Sequence, residues 1–171
     1  MKGVLKLEDG RELTVELNDE TLDRLKEPKK TGYERTYIGE QYYTVLHGSI
    51  ESFHEIDIGH GGLYCLEDYK DANYYSDKTV AENNARADAL MRKLRRFAVE
   101  HREKEFNWFD ESQYKFGFYY YYKDQDIKIA PYLNCKSFGS IYFDTQETAE
   151  AAIEEFKDEL IWYFTEYEDS L

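Results

Sequence analysis

His47, His54, His60 and Cys65 fall within 19 residues of one another, and three such side chains suffice to hold a zinc ion. Their spacings, His54-x5-His60 and His60-x4-Cys65, fit no standard ligand pattern, and no Cys-x-x-Cys pair anchors them. No metal ligand is assigned. Nucleophilic catalysis needs a Ser, Cys or Thr against a base, and the chain has neither a Gly-x-Ser-x-Gly elbow nor a Gly-rich phosphate loop. With 36 Asp and Glu among 171 residues, carboxylate pairs arise by abundance alone, which ordinarily marks a solvated face. The expectation is a protein that is not an enzyme, with no catalytic residue and no cofactor.

Two patterns suit binding better than catalysis. Residues 144–171 carry 10 acids and a single Lys157, and Glu147, Glu150, Glu154 and Asp158 recur at i, i+3, i+7 and i+11 along one helical stripe. Like charges so spaced destabilise a helix by roughly 0.2–0.5 kcal/mol per pair, so the stripe reads either as solubility or as a row of carboxylates imitating phosphates. In Lys115-Phe116-Gly117-Phe118-Tyr119-Tyr120-Tyr121-Tyr122, strand alternation sets Phe118, Tyr120 and Tyr122 on one face and Tyr119 and Tyr121 on the other. One set packs inward and the other is left outside, where aromatic side chains anchor protein interfaces.

Charge limits the partners. The net charge of −14 divides as −1 over residues 1–32, −6 over 33–80, +2 over 81–106 and −9 over 107–171. Such a field repels phosphate backbones, so direct nucleic-acid binding is not expected and a basic protein partner is. The aromatic strand has some likeness to the base-stacking strand of RNA-recognition domains, but it lacks a Gly directly after the basic residue and sits in the −9 segment. No apolar run approaches the roughly 20 residues of a membrane helix, the first residues alternate instead of forming a signal-peptide block, and two lone cysteines build no disulfide scaffold. The expected compartment is the cytoplasm, with no membrane association.

The elements that must position these residues follow from periodicity. Val4–Leu7 and Leu13–Leu17 alternate around Asp9-Gly10, a hairpin signal, and Asn18 begins a short helix through Leu22 and Leu25 that Pro28 ends. Residues 27–36 read as a linker. A second hairpin spans Gln41–Leu46 and Ser49–Ile56 across His47-Gly48, and Gly59-His60-Gly61-Gly62 marks a loop. Ser76 or Asp77 caps a long helix with apolar and small positions Val80, Ala81, Ala87, Leu90, Met91, Leu94, Phe97 and Ala98 and basic residues elsewhere. Strands at 114–122, 127–130 and 140–143 precede a last helix that Asp144 and Glu147 begin as a capping-box variant.

The segment around Tyr74-Tyr75-Ser76-Asp77 and Ala81-Glu82 overlies Tyr142-Phe143-Asp144-Thr145 and Ala149-Glu150 at an offset of 68 residues. This predicts an α+β protein: an N-terminal β-hairpin and short helix (1–32), then two tandem β-β-β-α units (37–106 and 107–171) with antiparallel sheets packed on long helices.

Gln41-Tyr42-Tyr43, Leu94-Arg95-Arg96-Phe97-Ala98 and Gly139-Ser140-Ile141-Tyr142-Phe143 with Ala149-Glu150 resemble motifs of small proteins from Firmicutes bacteriophages and integrated elements. The resemblance spans most of residues 39–165. It implies an anti-defence role of the kind anti-CRISPR proteins perform: stoichiometric inhibition of a host defence nuclease by binding its basic nucleic-acid groove. Glu147, Glu150, Glu154, Asp158, Tyr119 and Tyr121 are the expected interface. The alternatives are a protein that sequesters a small nucleotide between its repeats, with tyrosines for stacking and Arg92, Arg95 or Arg96 for phosphate, and an oligomeric accessory phage protein, a homodimer for instance.

Overall fold

The computed structural model describes residues 2–6, 10–16, 30–56 and 63–167. The expected short helix at Leu22 and Leu25, His60 and the Gly-rich loop around it lie outside these. The protein is α+β. Strands β1 (Lys2–Lys6) and β2 (Glu12–Glu16) pair antiparallel, as do β3 (Gln41–Leu46) with β4 (Ser49–His54) and β5 (Lys115–Tyr121) with β6 (Asp126–Tyr132). The β3–β4 turn is two residues long, and both His47 (φ 53°) and Gly48 (φ 83°) are left-handed, the combination that matches the twist of a tight hairpin.

Third strands do not form as expected. Each later hairpin gains only a single bridged residue, Tyr75 on Tyr43 and Phe143 on Phe116, and each bridge leads within two residues to a helix cap. Bridge residues and caps, Asp77 and Thr145, keep the 68-residue offset.

Helix α1 (Leu63–Lys70) was not expected from the periodicity; it buries only Cys65. Helix α2 (Lys78–Glu100) starts where Asp77 accepts from the N–H of Thr79 at 2.7 Å and Val80 at 3.2 Å, and it ends at His101, whose ring stacks on Phe97 at 3.9 Å. The last helix is capped by Thr145, not Asp144: Thr145 accepts from Thr148 N–H, while Asp144 Oδ2 takes the N–H groups of Glu103 and Lys104 at 2.7 and 2.9 Å. Nor is that helix continuous. It breaks at Phe156 (φ −112°, ψ 19°) into α3 (Gln146–Glu155) and α4 (Lys157–Trp162), and a π-helical turn follows at Tyr163–Tyr167.

One apolar core draws on both halves: Leu90, Leu94, Phe97 and Ala98 of α2 pack with Ile127, Phe143, Ala149, Ala152 and Leu160. Burying each large side chain contributes about 1.5–3 kcal/mol. Arg86 ties α2 to α4, its guanidinium 3.7 Å from the Trp162 ring centroid and 2.9 Å from Glu159. The first half has a smaller and more polar centre of Tyr42, Cys65 and Tyr74. The expected linker is built into it: Arg35 pairs with Glu55 at 2.5 Å, Thr36 bonds the Tyr74 hydroxyl at 2.6 Å, and Glu34 binds Thr31, Gly32 and Ser76. Gly32 (φ +86°) is required there, because a Cβ would stand 2.6 Å from Val80 Cγ2. Among the described residues no helix is long and apolar enough to cross a membrane.

Candidate functional site

Alternation along β5 divides its side chains. Phe118 and Tyr120 pack on the apolar core, while Tyr119 and Tyr121 point outward and remain 44% and 43% exposed. Tyr122 departs from Phe118 and Tyr120, with which alternation groups it: it lies past the strand, exposed, and its hydroxyl donates to the Phe164 carbonyl at 2.9 Å. The outer face of the hairpin is closed at its other end, where Lys115 is fully buried. Its ammonium donates to the carbonyls of Asn107, Gln113 and Leu133 at 2.5, 2.7 and 3.2 Å, which replaces the water it has lost. The exposed pair therefore stands at the free end of an anchored hairpin.

Tyr119 and Tyr121 border a shallow hollow of about 590 Å³ together with Asp124, Lys128, Gln146 and Glu150. Three of the six expected interface residues thus meet. Glu147 and Glu154 share the α3 face with Glu150, and both are exposed. Asp158 is exposed on α4, beyond the break at Phe156, so the expected continuous stripe is three residues plus one displaced. Among the described residues none of these four carboxylates forms an ion pair; Glu150 accepts from Gln146 at 2.8 Å. Lys128, the cation in the hollow, is already paired with Asp126 at 2.8 Å and Asp124 at 3.6 Å. Its hydrogen bond holds the Asp126 carboxyl below the usual range and raises the Lys128 ammonium, so both stay charged near neutrality. The surface is acidic and aromatic.

The arginines expected to hold phosphate are separated. Arg96 faces Glu100 at 3.9 Å on the exposed side of α2, Arg92 borders a polar recess with Asp71 and Asp88, and Arg95 lines a groove at the end of α2. Sequence reasoning missed the rest of that groove: Phe106, Trp108, Lys136 and the inner role of Arg102. The basic and aromatic alternation Arg102-x3-Phe106-x-Trp108 was the available signal; Lys136 had none, because a loop brings it from beyond β6.

The polar centre of the first half is a closed network. Glu55, 1% exposed, accepts from Arg35 and from the Tyr74 hydroxyl at 2.7 Å, and Tyr42 stacks on Tyr74 at 4.2 Å and donates to Asp68. Burial raises the Tyr42 and Tyr74 hydroxyls and the Asp68 carboxyl. These groups satisfy one another, and the arrangement is structural. His47 and His54 are exposed at opposite ends of β4, Cys65 is buried, and no metal-binding group of three gathers among the described residues. In comparisons with known proteins the chain matches no family model, no curated protein and no solved structure.

Proposed function

We propose that the protein is a non-enzymatic binding protein whose acidic, tyrosine-bearing face occupies a basic surface of a protein partner. The observation that carries this reading is the meeting of Tyr119, Tyr121 and Glu150 around one hollow, with Glu147 and Glu154 on the same helix face. Tyrosines supply apolar contact area that holds its shape, and unpaired carboxylates supply charge complementarity and fast encounter. In its narrower form the partner is a host defence nuclease in the bacterial cytoplasm, and the protein is its stoichiometric inhibitor. At about 1.5 Å rise per residue, the α3 carboxylates repeat every ~4.5–6 Å along the axis, a dense row suited to a groove that binds phosphates. The resemblance to small phage and mobile-element proteins supports that form. The accompanying fold reading is two tandem β-β-β-α units, each third strand contracted to one bridged residue; the shared 68-residue offset supports it.

The test is co-purification from a Firmicutes lysate with three baits: wild type, the quadruple reversal Glu147→Lys, Glu150→Lys, Glu154→Lys and Asp158→Lys, and Tyr119→Ala with Tyr121→Ala. A partner retained by wild type, released by duplex DNA and lost by both variants is the expected result. The same proteins on all three baits would overturn the reading.

A further inference from the structure

We infer that the groove at the end of α2 binds a small organic phosphate of nucleotide size, at a site separate from the acidic face. The groove is open to solvent, with a volume of about 470 Å³ that falls within the roughly 300–1,000 Å³ of small-molecule sites. Arg95, Arg102 and Lys136 supply its charge, and Phe106, Trp108 and Tyr142 supply its apolar wall. In a chain with 36 acids, no Asp or Glu lines it.

Among the described residues Arg95, Arg102 and Lys136 form no ion pair, a state they share with exposed cations such as Arg92 and Lys93 but not with Arg35, Arg86 and Lys128, which each face a carboxylate. What sets the three apart is that they line one groove together with rings. Two of the three are held against rings instead. The Arg102 guanidinium lies 4.3 Å from the Phe106 centroid, and Lys136 Nζ lies 4.7 Å from that of Trp108. Arg102 Nε is buried without a hydrogen-bond acceptor. A buried donor left unsatisfied costs about 1–3 kcal/mol, a cost that a phosphate oxygen arriving there removes. Asp144, whose Oδ2 is held by the Glu103 and Lys104 N–H groups, forms neither a hydrogen bond nor an ion pair with Arg102, and its own Oδ1 is likewise buried without a partner.

The C-terminus of α2 contributes about half a negative charge, against three full positive charges around the groove, so the local balance favours an anion. The −14 net charge repels a long polyanion, which would extend over the surrounding acidic surface. A small phosphate with an apolar, flat body satisfies the cations and the ring wall together.

Isothermal titration of the full chain with AMP, GMP, adenosine and inorganic phosphate tests this. The expected result is saturable AMP or GMP binding at least tenfold tighter than adenosine or phosphate alone. Arg102→Met should weaken it tenfold or more, and Lys136→Gln, an exposed change that leaves the fold intact, severalfold. The variant Tyr119→Ala with Tyr121→Ala should bind nucleotide like wild type, which keeps this site's failure distinct from that of the protein-binding face. Absence of saturable nucleotide binding, unchanged binding by Lys136→Gln, or tighter binding of a 20-nucleotide RNA than of AMP would each overturn the inference.

Discussion

Tyr74 and Tyr142 stand 68 residues apart, each one residue before a bridge and three before a helix N-cap. Tyr74 is sealed between Tyr42 and Tyr69, and its hydroxyl serves Thr36 and Glu55. Tyr142 meets Trp108 and Tyr132 edge to face at 4.9 and 5.2 Å, accepts one bond from Ser137 N–H at 2.6 Å, and forms part of a groove wall. The same residue type in matching local geometry thus closes a polar centre in one half and borders an open groove in the other. Both tyrosines lie against two rings; the difference is that the first half adds buried charge at the hydroxyl, and the second an open groove lined by unpaired cations.

The largest test of this contrast is in the apolar half. Phe143→Ala, at a fully buried position, should cost about 4 kcal/mol in urea unfolding. In the polar half, Glu55→Ala should cost about 3 kcal/mol, toward the low end for a broken buried pair because Arg35 remains 34% exposed and can rehydrate. A loss below 1 kcal/mol would show that the network does not support the first half. Next come the matched tyrosines: Tyr74→Phe should cost about 2 kcal/mol and Tyr142→Phe about 1 kcal/mol, since one hydroxyl has a buried charged partner and the other a single backbone donor. Equal costs would break the comparison.

The smallest effect concerns pH. The Thr31 backbone N–H, with further bonds from Gly32 and the Thr31 hydroxyl, holds the Glu34 carboxyl down to about 2, against 4.5 for a free group. Its folded value is depressed, so its contribution is complete above about 4.5 and is lost as pH falls toward 2. Glu34→Gln should lower the melting temperature at neutral pH and flatten its fall across that acidic interval. An unchanged acid profile would show that the 31–36 segment is not fastened through this carboxylate.

How far the sequence disclosed these features depended on how local their causes are. The His47-Gly48 hairpin, a cap at Ser76 or Asp77 and the division of the β5 tyrosines between two faces depend on neighbours a few residues away and were legible; that Asp77 is the cap and that Tyr119 and Tyr121 face outward came from the folded structure. Asp144 looked like a cap but is drawn to N–H groups about 40 residues earlier, leaving the role to Thr145. The break at Phe156 goes with its edge-to-face packing on Phe97 at 5.8 Å, a contact that no periodicity announces. Helix α1 buries one residue and gave too little apolar rhythm to detect. Of the candidate surfaces, the acidic helix face and the two tyrosines were readable as patterns. The α2 groove was not, because its walls come from segments around 95–102, 106–108 and 136–142 that only folding brings together.

Helix α2 contacts β3 and β4 of the first half and supplies Leu90, Leu94 and Phe97 to the apolar core shared with the second. A rod of 23 residues shared in this way couples the cooperativity of the two halves: neither can release its portion without fraying a turn on which the other rests. In hydrogen-exchange experiments its central amides, around Leu90, should therefore open only with the whole molecule, while protection declines toward both ends of the helix.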